Sequence, residues 1–118
     1  MSPALLRLLP AAALLLVLLS ACAGSQRALT LEEFYGFCWP AQSDSKCDDD
    51  SLCSDYQAYL SQPQARTSKE ECIKGCNDLQ MTEYQQNTLQ GCEGAIGSAT
   101  DWCIKYCRLY FDYGPPKP

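Results

Sequence analysis

The chain contains no histidine, and that absence removes more chemistry than any motif adds. Without imidazole there is no Ser-His-Asp or Cys-His catalytic unit, no His-ligated zinc and no Cys-x-x-Cys-His haem attachment. Aliphatic side chains are nearly as scarce. From residue 22 onward valine is missing, and leucine, isoleucine and phenylalanine number seven, three and three. That is about 13% of 97 residues (118 less the first 21), below the ~20% under which chains usually bury too little apolar surface to offset conformational entropy. The missing valines, with no run of apolar/polar alternation, also disfavour strands. Basic residues are few: past residue 21 there are eight against fourteen acidic side chains, a net charge of −6. No basic patch exists, so nucleic acid is not an expected partner.

What is present begins at the N-terminus. Arg7 is the only charge ahead of an apolar run over 8–19, and small residues follow at Ser20, Ala21 and Ala23. Twelve residues interrupted by Pro10 are too few to span a bilayer, which needs ~20. Leu19-Ser20-Ala21-Cys22 resembles the lipobox of a bacterial lipoprotein signal peptide. The resemblance implies removal of residues 1–21 and acyl chains, palmitate among them, on Cys22. It also implies the outer membrane, since Ala23 rather than Asp follows the cysteine, with the domain facing the periplasm or the cell surface. The membrane would then be a partner through those chains, two or more of which anchor stably where one does not. Ala21-Cys22-Ala23 equally satisfies the small-x-small rule of an ordinary secretory signal, which would release a soluble chain starting at Gly24.

The other eight cysteines are Cys38, Cys47, Cys53, Cys72, Cys76, Cys92, Cys103 and Cys107. An exported domain with an even, dense cysteine set reads as a disulfide framework, and all twelve aromatics accompany it. Four bridges at ~2–4 kcal/mol each supply what the missing aliphatics do not. Eight cysteines permit on the order of a hundred pairings. Cys72-Ile-Lys-Gly-Cys76 and Cys103-Ile-Lys-Tyr-Cys107 each put two sulfurs one turn apart on a helix face. Cβ atoms at that spacing lie ~5–6 Å apart, too far for a bridge within the helix, so each cysteine must bond outward. Over residues 72–107 this pattern resembles the α-hairpinins, whose two antiparallel Cys-x-x-x-Cys helices are doubly bridged. That resemblance implies Cys72–Cys107 and Cys76–Cys103. Four thiolates binding zinc or an iron–sulfur cluster are the functional rival, and oxidising export argues against it.

The chain divides into a signal peptide (1–21), an acylated N-terminus and tether (22–29), a domain (30–113) and a Pro-rich tail (114–118). Thr30-Leu31-Glu32-Glu33 is a capping box opening a helix that stops near Trp39-Pro40. Asp48, Asp49 and Asp50 sit at the N-terminus of a helix over roughly 50–61, with Leu52, Tyr56, Tyr59 and Leu60 on one face and Pro63 closing it. Thr67-Ser68-Lys69-Glu70 is a second capping box, for a helix bearing Cys72, Cys76 and Leu79 with a possible break at Asn77-Asp78. Gly91, Gly94 and Gly97 read as a loop. A last helix, about 99–112, presents Cys103, Tyr106, Cys107 and Tyr110. The expectation is an all-α, small disulfide-rich domain of four or five short helices.

Candidate sites are few. Asp44 and Asp48 to Asp50 with Asp55 resemble a calcium loop only in charge, lacking the EF-hand glycine and terminal glutamate. A solvated helix start explains them better, so no metal site is assigned. Glu32-Glu33 and Glu70-Glu71 fit capping positions rather than acid–base pairs. No cofactor and no enzyme activity is expected. Phe111 and Tyr113, beside the Pro-rich tail, are the expected exposed aromatic pair and the candidate partner surface. The reading is a lipid-anchored envelope protein acting as a non-catalytic binding or scaffolding subunit for another envelope protein. A metal- or ligand-binding module and a periplasmic inhibitor or immunity-type protein are the alternatives.

Overall fold

The computed structural model describes residues 26–39, 47–87 and 89–118. They form a small, disulfide-rich, all-α domain with no strand among the described residues. Helix α1 is Leu31–Cys38, α2 is Asp49–Leu60, α3 is Lys69–Gln86 and α4 is Glu93–Tyr113, with a 3₁₀ turn at Pro63–Arg66 before α3. Two of the helices, at 18 and 21 residues, are longer than the short pieces expected.

The helix starts follow from local chemistry. Thr30 and Glu33 form the reciprocal capping box: the Glu33 N–H donates to Thr30 Oγ1 at 3.1 Å and the Thr30 N–H to Glu33 Oε2 at 2.9 Å. Asp48 caps α2 by accepting from the Ser51 N–H at 3.1 Å, with Asp49 and Asp50 in the positive first turn. The cap of α3 falls one residue later than expected. Ser68 accepts from the Glu71 N–H, while the Thr67 hydroxyl donates back to the Gln64 carbonyl and finishes the 3₁₀ turn. Thr67 cannot serve both elements, so Ser68 takes the cap.

Of the two interruptions considered in the sequence, the break in α3 left open and the expected glycine loop, neither interrupts the helices. Helix α3 runs unbroken through Asn77 and Asp78, where Lys74 Nζ reaches Asp78 one turn on at 2.6 Å. Helix α4 starts at Glu93, so Gly94 and Gly97 are helical and only Gly91 belongs to a turn. Each helical glycine costs ~1 kcal/mol relative to alanine. The same turns bury Ala95, Ile96 and Ala99 on the face that continues into Cys103 and Cys107, and that burial offsets the cost.

Helix α4 is the spine, packed by α1, α2 and α3. Cys72–Cys107 and Cys76–Cys103 join α3 to α4 with Cα separations of 5.7 and 5.8 Å. This is the pairing the α-hairpinin resemblance implies. Cys38–Cys53 joins α1 to α2 at 5.9 Å, and Cys47–Cys92 ties the approach of α2 to the start of α4 at 5.3 Å. Around the sulfurs, Phe34, Tyr56, Leu60 and Ile96 are fully buried. Phe34 meets Tyr106 edge-on, ring centroids 6.3 Å apart. The Thr100 hydroxyl donates to the Ile96 carbonyl at 2.8 Å, so the Tyr56 hydroxyl donates to Thr100 at 2.7 Å. Burial pushes Tyr56 up to about 12.

Gly75 lets α2 approach α3. The Tyr59 ring lies where a Cβ on residue 75 would sit, and its hydroxyl donates to the Cys72 carbonyl at 3.0 Å. Gly114, at φ +82°, ends α4 in a conformation that favours glycine. The tail beyond it is not helical. At the other end, part of the segment expected as a tether (22–29) packs on the domain. Ala28 is buried, Leu29 packs on the core and Gln26 accepts from the Tyr113 hydroxyl at 2.7 Å, so residues 26–29 belong to the domain. The segment expected as a signal peptide (1–21) and Cys22 lie outside the described residues.

Candidate interaction surface

All eight domain cysteines are bridged, so none offers a thiolate for metal or redox chemistry. Among the described residues no three His, Cys, Asp or Glu side chains gather as metal ligands. Asp48 is occupied as a cap and Asp50 accepts from the Tyr35 hydroxyl. Burial and the adjacent Asp48 raise the Asp49 carboxyl above its ordinary value. Asp44 lies outside the described residues. Glu33 is held down to about 2 by its hydrogen bonds to Arg27 and to the Thr30 N–H, which suits a cap and not a proton shuttle. Glu70 and Glu71 sit in the first turn of α3.

The expected aromatic pair at the end of α4 divides. Tyr113 is half exposed, as anticipated. Phe111 is not an exposed residue: it is partly buried against the core, its ring edge-on to Tyr110 at 5.3 Å. Position explains the difference, since residue 111 lies one turn after Cys107 and faces inward with it, while residue 113 is turned away. Tyr113 also borders a groove in which Pro115, Pro116 and Lys117 run back beside Gln26, Arg27 and Thr30. No family model, curated protein or solved structure matches the chain. The surface is therefore read from its own chemistry.

A second group was not singled out in the sequence. Phe37 of α1 and Trp102 of α4 stack with centroids 4.5 Å apart and planes 7° from parallel. Lys105 Nζ lies 4.5 Å from the centre of the Trp102 ring. Phe37 remains 45% exposed, because α1 buries Phe34 and Cys38, one turn apart, and leaves residue 37 on its shoulder. With Leu29, Arg27 and Leu109 these side chains line a cleft of about 340 Å³. Arg27 pairs with Glu33 through both guanidinium nitrogens. The i, i+3, i+7 spacing of Trp102, Lys105 and Leu109 was visible in the sequence; that Phe37 meets them was not.

The one buried carboxyl in a helix interior among the described residues is Glu83 of α3, 4% exposed. Burial raises it above the usual carboxylate range, and the Asp55 carboxyl, which repels it and takes its hydrogen bond when protonated, raises it further. Asn87 Nδ2 donates to Glu83 Oε2 at 3.1 Å and partly opposes both. A raised native value means that the native state holds the proton longer than the unfolded chain. Stability contributed by Glu83 is thus full below the unfolded value near 4.5 and is lost as pH rises through the native one. Glu83→Gln is expected to raise the urea midpoint at pH 7 and leave it unchanged at pH 4. An equal shift at both pH values would mean that ionisation of Glu83 is not involved.

Proposed function

We propose that the protein is a lipid-anchored bacterial envelope protein, a non-catalytic subunit that binds or scaffolds another envelope protein. The observation that carries this reading is the lipobox-like Leu19-Ser20-Ala21-Cys22, whose cysteine lies six positions ahead of the buried Ala28. A chain acylated at Cys22 would hold the domain at a membrane and raise its effective concentration near membrane-bound partners. Four disulfides make a rigid body suited to presenting a preformed surface, which lowers the ordering cost of association. The half-exposed Tyr113, beside the Pro115-Pro116 tail, supports the docking role, since interface cores are rich in such aromatics.

A mass spectrum of protein extracted natively from membranes tests the anchor. The expected mass is that of residues 22–118 with acyl chains on Cys22 and eight thiols lost to four bridges. A chain starting at Gly24 would end the membrane-anchored reading. For the partner, Tyr113→Ala is expected to weaken capture in crosslinked membranes roughly tenfold, the scale of a single aromatic anchor, without changing export.

A further inference from the structure

We propose that the face carrying Phe37, Trp102, Lys105 and Leu109 seats on the headgroup layer of the lipid bilayer. This rests on the acylated-Cys22 reading for what brings the face to the membrane, and on the structure for why this face fits it. The first ground is reach. Gln26 and Arg27 line the cleft formed by those side chains. Gln26 lies four residue steps from Cys22, and an extended chain covers at most ~3.5 Å per step, about 14 Å in all. An acylated Cys22 therefore keeps this cleft within about 14 Å of the bilayer surface, less than half the length of α4 at ~1.5 Å per residue. A face that borders Gln26 is within reach of the lipid under so short a leash.

The second ground is chemistry. Tryptophan with lysine or arginine is the combination that settles at membrane–water interfaces, the ring at headgroup depth and the cation toward phosphate. Trp102 has Phe37 stacked on it and the Lys105 ammonium against it, so an apolar body and a positive tip point from one place. Leu29 and Leu109 extend the apolar part.

The third ground is charge. The domain as a whole is acidic, and anionic headgroups repel an acidic surface. On this face Arg27 and Glu33 cancel in their ion pair. Over residues 101–112 of α4, Lys105 and Arg108, both exposed, stand against Asp101, while Asp112 is paired with Lys69, which leaves a local excess of one positive charge. The carboxylates of Asp48, Asp50, Asp55, Asp78 and Glu83 lie on α2 and α3 or at their caps. The local positive excess offsets, at this face, the repulsion that the acidic domain meets at an anionic bilayer.

The test uses the processed protein extracted from its membrane and returned to vesicles of phosphatidylcholine with phosphatidylglycerol. A Trp39→Phe background leaves Trp102 as the only tryptophan. Brominated lipid acyl chains are expected to quench its emission at least twofold. Lys105→Glu is expected to cut the quenching severalfold, with the four bridges and the far-UV spectrum unchanged. Unquenched Trp102 in vesicle-bound protein overturns the proposal. So does Trp102 that is shielded from acrylamide in native membranes but untouched by brominated lipid, because a protein then covers the face. The acyl mass reads the anchor separately. An acylated chain with unquenched Trp102 keeps the anchor and loses this face. An unacylated chain whose Trp102 is still quenched loses the anchor and keeps the face as an autonomous lipid contact.

Discussion

Replacing all four cysteines of the α3–α4 clasp with alanine (Cys72, Cys76, Cys103 and Cys107) is expected to cost the domain about 6 kcal/mol, a large share of its stability. The two bridges are nested, with sequence separations of 35 and 27 residues. With the inner bridge intact, the outer one closes only a small ring of two helical turns, so losing either alone costs about 2.5 kcal/mol of chain entropy. Losing both releases the whole connection, and the last bridge removed costs about 3.5–4 kcal/mol. The double loss, about 6 kcal/mol, should therefore exceed the sum of the two single losses by about 1 kcal/mol. Small domains have only ~5–15 kcal/mol in all. Alanine rather than serine is the informative replacement, because all four sites are buried and a hydroxyl there adds its own desolvation cost. Urea midpoints of the two paired variants and the quadruple variant measure this directly. A quadruple variant melting like the parent would show that the bridges are dispensable and the apolar core sufficient.

Phe34→Ala is the second large effect, about 3–5 kcal/mol. Phe34 is fully buried between α1 and α4, edge-on to Tyr106. A core this poor in aliphatic side chains has little that can move into the hole, so the cavity term stays near its upper range. For a domain of this size the melting temperature should fall by at least about 12 °C. Phe37→Ala, three residues along the same helix but half exposed, is expected to cost under about 1 kcal/mol. Equal losses for the two variants would mean that α1 is held by its disulfide and not by the Phe34 contact.

Much of the fold was legible in order along the chain. The Thr30–Glu33 box announced its helix because capping is a contact between residues three apart, and Asp48 to Asp50 announced the next because acidic side chains favour a helix N-terminus. Leu52, Tyr56 and Leu60 were visible as a face because period 3.6 needs no partner to be seen. The errors arose where two local signals competed or where burial outweighed one. Thr67 and Ser68 are both good caps, and only the 3₁₀ turn that claims the Thr67 hydroxyl decides between them. Gly94 and Gly97 read as a loop on intrinsic preference, and the burial of Ala95, Ile96 and Ala99 against the rest of the domain reverses it. Phe111 near a polar, Pro-rich end read as exposed, though its helical phase places it with Cys107.

The sequence by itself determined the class of molecule. Absent histidine, no valine and eight cysteines past residue 22, capped helical segments and the Cys-x-x-x-Cys spacing all point to a helical domain held by cross-links, because composition and short-range spacing set them. The tertiary structure decided which of the many cysteine pairings is made, that residues 26–29 pack on the domain, and that Phe37 stacks on Trp102 beside Arg27. Those are contacts between residues as far apart as Gln26 and Tyr113. No local period encodes such meetings; they follow from how four helices share one small core, where the position of each face depends on all the others.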